Sequence, residues 1–236
     1  MRTKPPLPLA VIAAIAAGWI AGTFLPLPFD QDAPASLSSA PSAAAAPVLP
    51  DPFLASVPDV RQSTGYTCGA AALQAVLAYW GTSEREDRLA ARLRSTPEAG
   101  THPLDIVRVA GEFGLAAELR EGLALADLEA ALAAGTTVIV DLQAWRDRTD
   151  VPWMEIWDDG HYMVLLGMDG ENLYFEDPSL LGRRGFIPRE EFVDRWHDYE
   201  GEPPLDATDR KYVRMAMFIR GDRPARVGPA PFEPVR

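Results

Sequence analysis

Three residues of this chain have the types and the order that thiol chemistry needs. Cys68 is the only cysteine, so it cannot form an internal disulfide and remains a free thiol. It begins an amphipathic segment, and the N-terminus of a helix favours the thiolate form of a cysteine. His161 begins one apolar segment and Asp177 follows the next. A thiol, an imidazole and a carboxylate can serve as nucleophile, base and orienting group in acyl transfer.

The pair Asp169-Gly170 lies between two apolar segments, a pattern that predicts a β-hairpin. A three-residue loop ending at Gly170, with that glycine in the left-handed region, pairs Gly167 with Glu171 and His161 with Asp177. A two-residue loop pairs His161 with the next residue along, which is a proline. Either register leaves Asp177 within reach of His161.

Acyl transfer also needs N–H donors directed at the oxyanion that forms on the carbonyl. Gln62 lies six residues before Cys68, and its side-chain amide can supply one such donor. The backbone N–H of Cys68 can supply a second. We therefore place Gln62 with Cys68, His161 and Asp177 among the candidate catalytic residues.

Other candidates are weaker. Asp159 is the competing carboxylate, which we interpret as a loop residue, and we expect His102 and His197 to be surface or cap residues. One cysteine and three dispersed histidines give no zinc-ligand spacing. No Gly-rich phosphate loop follows a strand, so we expect neither a metal nor a nucleotide cofactor.

The periodicity of apolar residues changes once along the chain and predicts an α+β fold. Leu73, Val76, Leu77 and Trp80 follow the spacing of one helix face. Further helices are predicted over 84–94, from Pro103, over 126–134 and from Pro188, and strands over 136–142, 161–168, 172–175 and 212–219. Turns rather than crossover helices join the central strands, so the sheet should be antiparallel.

The loop 145–159 holds three tryptophans among many charges, directly before His161. One interpretation is a folded lid that packs its own aromatic rings. The other is a wall of the substrate cleft. The two interpretations overlap, and the sequence leaves both open.

The flanking segments predict the cellular location of the domain. Residues 1–28 begin with basic residues and continue as an apolar run, as in a signal peptide or a single membrane anchor. Residues 29–56 form an Ala/Ser/Pro-rich linker, 57–221 the catalytic domain and 222–236 a flexible tail. Basic residues remain cytoplasmic, so we expect the domain at the cell membrane, in the periplasm or outside the cell. The net charge of −12 argues against nucleic acid as a partner.

The residues between 57 and 220 resemble the bacteriocin-processing, double-glycine leader peptidases and their stand-alone relatives. The resemblance lies in Gln62, in Cys68-Gly69 opening a helix that ends Tyr79-Trp80-Gly81, in 160–167 and in 176–178. It implies a papain-like fold and a peptide or protein substrate. It also implies Cys68 as nucleophile, His161 as base, Asp177 as orienting acid and Gln62 in the oxyanion hole.

Two departures from that family limit what the resemblance implies. Many members have Asp before the cysteine and Pro after the following glycine, where this chain has Thr67 and Ala70. Leader-processing members are cytosolic domains fused to a transporter, so leader removal is not carried over. We expect an extracytoplasmic cysteine peptidase. The alternatives are a non-catalytic peptide-binding or accessory module, a papain-like cell-wall amidase, and a thiol-dependent acyltransferase or transpeptidase.

Overall fold

A computed structural model describes residues 54, 56–201 and 204–225 of the chain. The predicted signal or anchor over 1–28 and nearly all of the predicted linker lie outside these residues. Every helix within the described residues is too short or too polar to span a bilayer.

The described residues form five α-helices, one 3₁₀ turn and eight strands. The helices are α1 (Cys68–Tyr79), α2 (Glu86–Arg92), α3 (Pro103–Glu112), α4 (Leu125–Ala133) and α5 (Arg189–Arg195). The strands are β1 (Ala116–Arg120), β2 (Thr137–Gln143), β3 (Gly160–Met168), β4 (Asn172–Glu176), β5 (Gly185–Pro188), β6 (His197–Glu200), β7 (Arg210–Val213) and β8 (Ala216–Arg220). The 3₁₀ turn is Trp153–Glu155.

Six strands form one antiparallel sheet in the order β1-β8-β2-β3-β4-β5. Helix α1 packs against β3, and α2 and α3 pack against α1. Strands β6 and β7 form a separate antiparallel pair. The prediction of helices packed with an antiparallel sheet is confirmed.

Helix α1 is buried on almost every side, and this makes it a rigid support for its first residue. Leu73, Val76 and Leu77 are fully buried, and so are the alanines of its first half. Helices that are apolar all round belong to the protein core. The backbone of Cys68 is therefore held by close packing along the whole helix.

Part of the strand prediction is wrong. The single strand expected over 212–219 is two strands, because Arg214 takes a left-handed conformation (φ 52°) between β7 and β8. Its N–H donates to the carbonyl of Trp196, which directs the chain from the small sheet into the large one. Strands β1, β5 and β6 were not predicted.

The predicted hairpin register is also wrong. Gly167 pairs with Tyr174 instead of Glu171. The reason is that the Asp169 side chain closes a longer loop, because its Oδ1 accepts hydrogen bonds from the N–H groups of Glu171 and Asn172. A register shift between Leu165 and Gly167 then brings Val164 opposite Glu176. The strand pairing near His161 therefore lies two residues from the predicted one.

An N-terminal strap, Leu54 and residues 56–62, lies along strands β3 and β4. The N–H of Leu54 donates to the carbonyl of Leu166, and the N–H of Gln62 donates to the carbonyl of Pro178 at 2.9 Å. The N–H of Val60 donates to the buried carboxylate of Glu176 at 2.7 Å. The strap thus attaches the start of the domain to the strand that leads to Asp177.

Candidate active site

Cys68 is the first residue of α1 and lines a cleft of about 410 Å³. It is 8% exposed, so the sulfur is largely shielded from water but borders an open space. The first N–H groups of a helix have no partner within the helix and carry partial positive charge. This position favours a negative charge on the sulfur.

Gly69 allows a loop to pack directly on the start of α1. A Cβ atom at this position would lie 2.8 Å from Cβ of Thr101, closer than side chains can approach. The carbonyl of Thr101 accepts a hydrogen bond from the Tyr162 hydroxyl at 2.9 Å. The small residue after Cys68 is therefore required by the contact between this loop and the start of the helix.

His161 lies near the start of β3 and is 1% exposed. Its Nε2 lies 2.7 Å from Oδ1 of Asp177. The ring also forms a hydrogen bond with Cys68, and since Asp177 occupies Nε2, the nitrogen available to the sulfur is Nδ1. The structure thus brings together Cys68, His161 and Asp177, as predicted, although by a different strand register.

Asp177 is held by a residue that the sequence analysis missed. The backbone N–H and the hydroxyl of Ser179 both donate to Oδ1 of Asp177, at 2.8 and 2.7 Å. Burial raises the pKa of Asp177, but its hydrogen bonds with His161 and Ser179 outweigh burial and hold the pKa below its ordinary value. An Asp-Pro-Ser sequence is typical of a turn closed by side-chain hydrogen bonds, and this was the available signal.

The contact between Cys68 and His161 favours an ion pair over two neutral groups. Burial raises the pKa of the Cys68 thiol, but the hydrogen bond and the charge of His161, together with the backbone N–H groups of Tyr162 and Gly69, outweigh burial and leave the pKa below its ordinary value. Burial lowers the pKa of His161, whereas hydrogen bonds with Asp177 and Cys68 raise it to about 9. A thiolate beside an imidazolium is the reactive form of a cysteine nucleophile.

Gln62 lies between the segment that follows Asp177 and the loop that precedes Cys68. Its side-chain nitrogen donates to the carbonyl of Thr64 at 2.8 Å, and its backbone is attached to Pro178 as described above. A glutamine amide carries two N–H donors, so one remains after the bond to Thr64. Its role in an oxyanion hole stays a prediction.

The loop 145–159, called the tryptophan loop below, both packs one of its rings between arginines and borders the site. Trp145 is 49% exposed and its ring lies 4.9 Å from that of His161. Trp153 packs between Arg146 and Arg195, whereas Trp157 lines the cleft beside Cys68. The two interpretations of this loop therefore describe different tryptophans of the same segment.

The other two histidines differ from each other. His102 caps α3, because its Nδ1 accepts the N–H of Leu104 at 3.1 Å, as predicted. The expectation of a surface or cap position for His197 is wrong. This residue is buried beside Trp157, with Nε2 2.7 Å from the carbonyl of Ile156. Asp159 lies in the tryptophan loop, as expected.

Residues 54–203 match the sequence profile of the Peptidase_C39-like family. An uncharacterized protein of Methanothermobacter marburgensis is 32% identical over 128 residues, which cover 54% of this chain and 76% of that protein. The crystal structure of a C39-like peptidase from Bacillus anthracis superposes with a TM-score of 0.55 at 20% identity, over 73% of this chain and 98% of that one. The peptidase domain of Streptococcus ComA, a bi-functional ABC transporter involved in quorum sensing, gives a TM-score of 0.49 at 20% identity, over 68% and 95% of the two chains. The fold shared with the Bacillus structure is papain-like, as predicted.

Proposed function

This chain belongs to the Peptidase_C39-like family, and from that premise we propose that it hydrolyses peptide bonds with Cys68 as its nucleophile. The observation that carries the proposal is the hydrogen-bonded series in which Cys68 contacts His161 and His161 contacts Asp177 at 2.7 Å. Cys68 and His161 are buried and Asp177 is partly buried, and the sulfur borders the cleft. A shielded ion pair with one open side suits nucleophilic attack on a bound carbonyl.

In the proposed reaction the Cys68 thiolate attacks the carbonyl carbon of the scissile peptide bond. The C–N bond then breaks, and the imidazolium of His161 gives its proton to the leaving amine, which leaves a thioester on Cys68. His161, now neutral, takes a proton from water as that water attacks the thioester. The C–S bond breaks, a carboxylic acid leaves, and the thiolate–imidazolium pair is restored.

Asp177 and Gln62 have supporting roles in this proposal. Asp177 accepts the Nε2 proton of His161 in a hydrogen bond, which keeps Nδ1 directed at the sulfur. The backbone N–H of Cys68 and the second N–H of the Gln62 amide donate to the oxyanion. The bond from Gln62 to Thr64 supports this role because it fixes the amide plane.

We test the proposal with the full chain and a peptide that carries a thiol-reactive group in place of the scissile bond. Labelling of Cys68 should be fast, and hydrolysis of a mixed peptide library should create new N-termini. The Cys68→Ala and His161→Ala variants should give neither result, with circular dichroism as the control for folding. Labelling no faster than that of a free cysteine, together with no new N-termini, contradicts the proposal and favours an accessory binding module.

The same experiment separates hydrolysis from acyl transfer. Added hydroxylamine or a peptide amine competes with water for the thioester. A hydrolase should release mainly the free acid at millimolar amine, whereas product that is mostly amide indicates a transpeptidase. Cleavage of cell-wall muropeptides, with linear peptides left intact, indicates the amidase alternative.

We further propose that the domain acts on the extracytoplasmic side of the membrane. The support is the basic and apolar character of residues 1–28. An external protease should digest the domain in spheroplasts without lysis. Protection until the membrane is broken contradicts this location.

A further inference from the structure

A second buried carboxylate lies on the side of β3 opposite His161. Asp141 in β2 pairs with Tyr162 in β3, while His161 pairs with Leu142. Successive residues of a strand point to opposite faces of a sheet, so Asp141 and Tyr162 share one face and His161 takes the other. Asp141 lines the same cleft as Cys68.

Asp141 is buried without a full set of hydrogen bonds. It is 3% exposed, and its Oδ1 has no hydrogen-bond partner among the residues that the structure describes. Buried polar atoms are nearly always paired, and each exception calls for an explanation. Because Asp141 lines the cleft, a group bound there can supply the missing partner.

Asp198 brings a second carboxylate to the same point. It lies within hydrogen-bonding distance of Asp141, and its Oδ1 accepts the side-chain amide of Gln143 at 3.1 Å. A Cβ atom at position 160 would overlap the Asp198 carboxylate. Gly160, directly before His161, is therefore the residue that lets Asp198 enter the cleft.

The charges around this pair leave it without a cation. Two basic side chains line the cleft, and each has another acidic partner: Arg94 lies 2.5 Å from Asp105, and His102 lies 2.7 Å from Glu200. Glu98 and Asp158 add further acidic groups to the lining. Across the described residues the cleft is therefore acidic, with Asp141 and Asp198 at its buried end.

Negative charge on this pair of carboxyls opposes the thiolate form of Cys68, and a bound cation would offset that charge. Burial, together with the charge of Asp198, raises the pKa of Asp141 well above its ordinary value, and burial raises the pKa of Asp198 to about 6. An ionised Asp141 acts on Cys68 as a like charge and disfavours the thiolate. A proton shared by the two carboxyls removes the conflict in the free protein, and a cation can replace that proton.

We propose that Asp141 and Asp198 form a specificity site for a cationic group of the substrate, such as a lysine or arginine side chain or an N-terminal ammonium, close to the scissile bond. The inference rests on the proposed peptidase function, because it names the substrate class of that site. The cation completes the hydrogen bonds of Asp141. It also places a positive charge near the sulfur during attack.

The first test measures hydrolysis of acetylated peptides in which one lysine is moved through every position around the bond that is cleaved, with norleucine as the uncharged counterpart. At one position kcat/KM should be about tenfold higher for lysine. The Asp141→Asn variant should bring this ratio close to one. The control Asp150→Asn removes an exposed acidic group outside the cleft and should keep the wild-type ratio.

Peptides with a free N-terminus separate the two sources of the cation. If the free amine raises kcat/KM and an internal lysine does not, the site takes an N-terminal ammonium. Equal rates for cationic and uncharged peptides at every position overturn the inference. So does an Asp141→Asn variant that loses activity equally on both kinds of peptide, since that loss indicates only a structural role.

A binding measurement keeps the test independent of catalysis. The Cys68→Ala variant is titrated calorimetrically at pH 7 with the lysine and norleucine peptides, in two buffers of different ionisation enthalpy. The lysine peptide should bind about tenfold more tightly and release a proton as Asp141 ionises, whereas the norleucine peptide should release none. No hydrolysis of any peptide contradicts the peptidase proposal alone, while equal binding and equal proton release contradict this inference alone.

Discussion

The protein treats two carboxylates beside β3, the partly buried Asp177 and the buried Asp141, in opposite ways. Oδ1 of Asp177 receives hydrogen bonds from His161 and from two groups of Ser179. Asp141 has an oxygen with no partner in the described part of the chain. Burial raises the pKa of both groups, yet the pKa of Asp177 ends lowered and that of Asp141 ends raised.

The difference follows from both depth and neighbours: Asp177 is partly buried and bonded to an imidazole and two donors, whereas Asp141 is fully buried beside a second carboxylate. Asp177 is completed within the chain, so it stays ionised and can hold an imidazolium. Asp141 is left incomplete beside an open cleft. This contrast agrees with the proposed roles, in which Asp177 orients His161 during catalysis and Asp141 binds the substrate.

The largest effect should come from Asp177→Asn. Loss of the negative charge lowers the pKa of His161 from about 9, so fewer imidazoles carry the proton that the leaving amine needs. We expect kcat/KM to fall about 100-fold and its alkaline limb, near pH 9 in the wild type, to move to lower pH. A pH–rate profile measures both changes.

Asp159→Asn is the matched control, because Asp159 is the carboxylate nearest His161 in sequence that the structure does not pair with it. The alkaline limb of the pH–rate profile of Asp159→Asn should remain near that of the wild type. An Asp177→Asn profile that falls at all pH values without a shifted limb contradicts the assigned electrostatic role.

Gly160→Ala tests the side of the sheet that carries Asp198. The added methyl group overlaps the Asp198 carboxylate and must displace it from Asp141. We expect the lysine preference to fall about tenfold, together with a lower thermal stability. Gly170→Ala is the control, since a Cβ atom there meets nothing within 4 Å. An unchanged preference in Gly160→Ala removes Asp198 from the specificity site.

Asp141→Asn should stabilise the fold at pH 8, in contrast to most core substitutions. A carboxyl whose folded pKa is raised binds its proton more tightly when folded, so stability is lost as pH rises from the unfolded pKa through the folded one. The amide cannot ionise, so the variant should not lose this stability at pH 8. Urea denaturation at pH 8 and pH 4 measures the difference, which should be small at pH 4. Equal stability of the two proteins at both pH values contradicts the sign.

The smallest effect should come from Ser179→Ala. The variant removes the hydroxyl donor to Asp177 but keeps the backbone N–H. A hydrogen bond to a charged group contributes about 1.5 kcal/mol, so kcat should fall about tenfold or less, with KM unchanged. Threonine at this position should restore most of the rate. Ser83→Ala, at an exposed position, is the control. Loss of folding in Ser179→Ala indicates a structural role instead.

The pair His161 and Asp177 was predicted correctly from a wrong register, and the reason is geometric. The pairing near His161 is shifted by two residues, and a shift of two keeps every side chain on its original face. Diagonal neighbours on one face remain within reach of long side chains. A displacement of two residues along the strand therefore still leaves Asp177 on the face of His161 and within its reach.

The clearest case of an element that the sequence did not predict is one whose partner is distant along the chain. Strand β1 has the sequence AAELR, with little β propensity, and is a strand because it pairs with β8 about a hundred residues later. Helix α1 and strand β3 were predictable because their own apolar pattern specifies them. Asp141 was visible as a charge inside an apolar strand, but its relation to Asp198 required the tertiary structure.

The N-terminal strap gives the site a point of vulnerability far from its chemistry. Because Gln62 and Val60 are bonded to the segment around Asp177, a single proteolytic nick within the strap would free the donors that hold this end of β4. Shortened versions of the chain must accordingly begin ahead of Leu54. Cleavage of the strap would then abolish activity although Cys68 and its neighbours in α1 remain chemically unchanged.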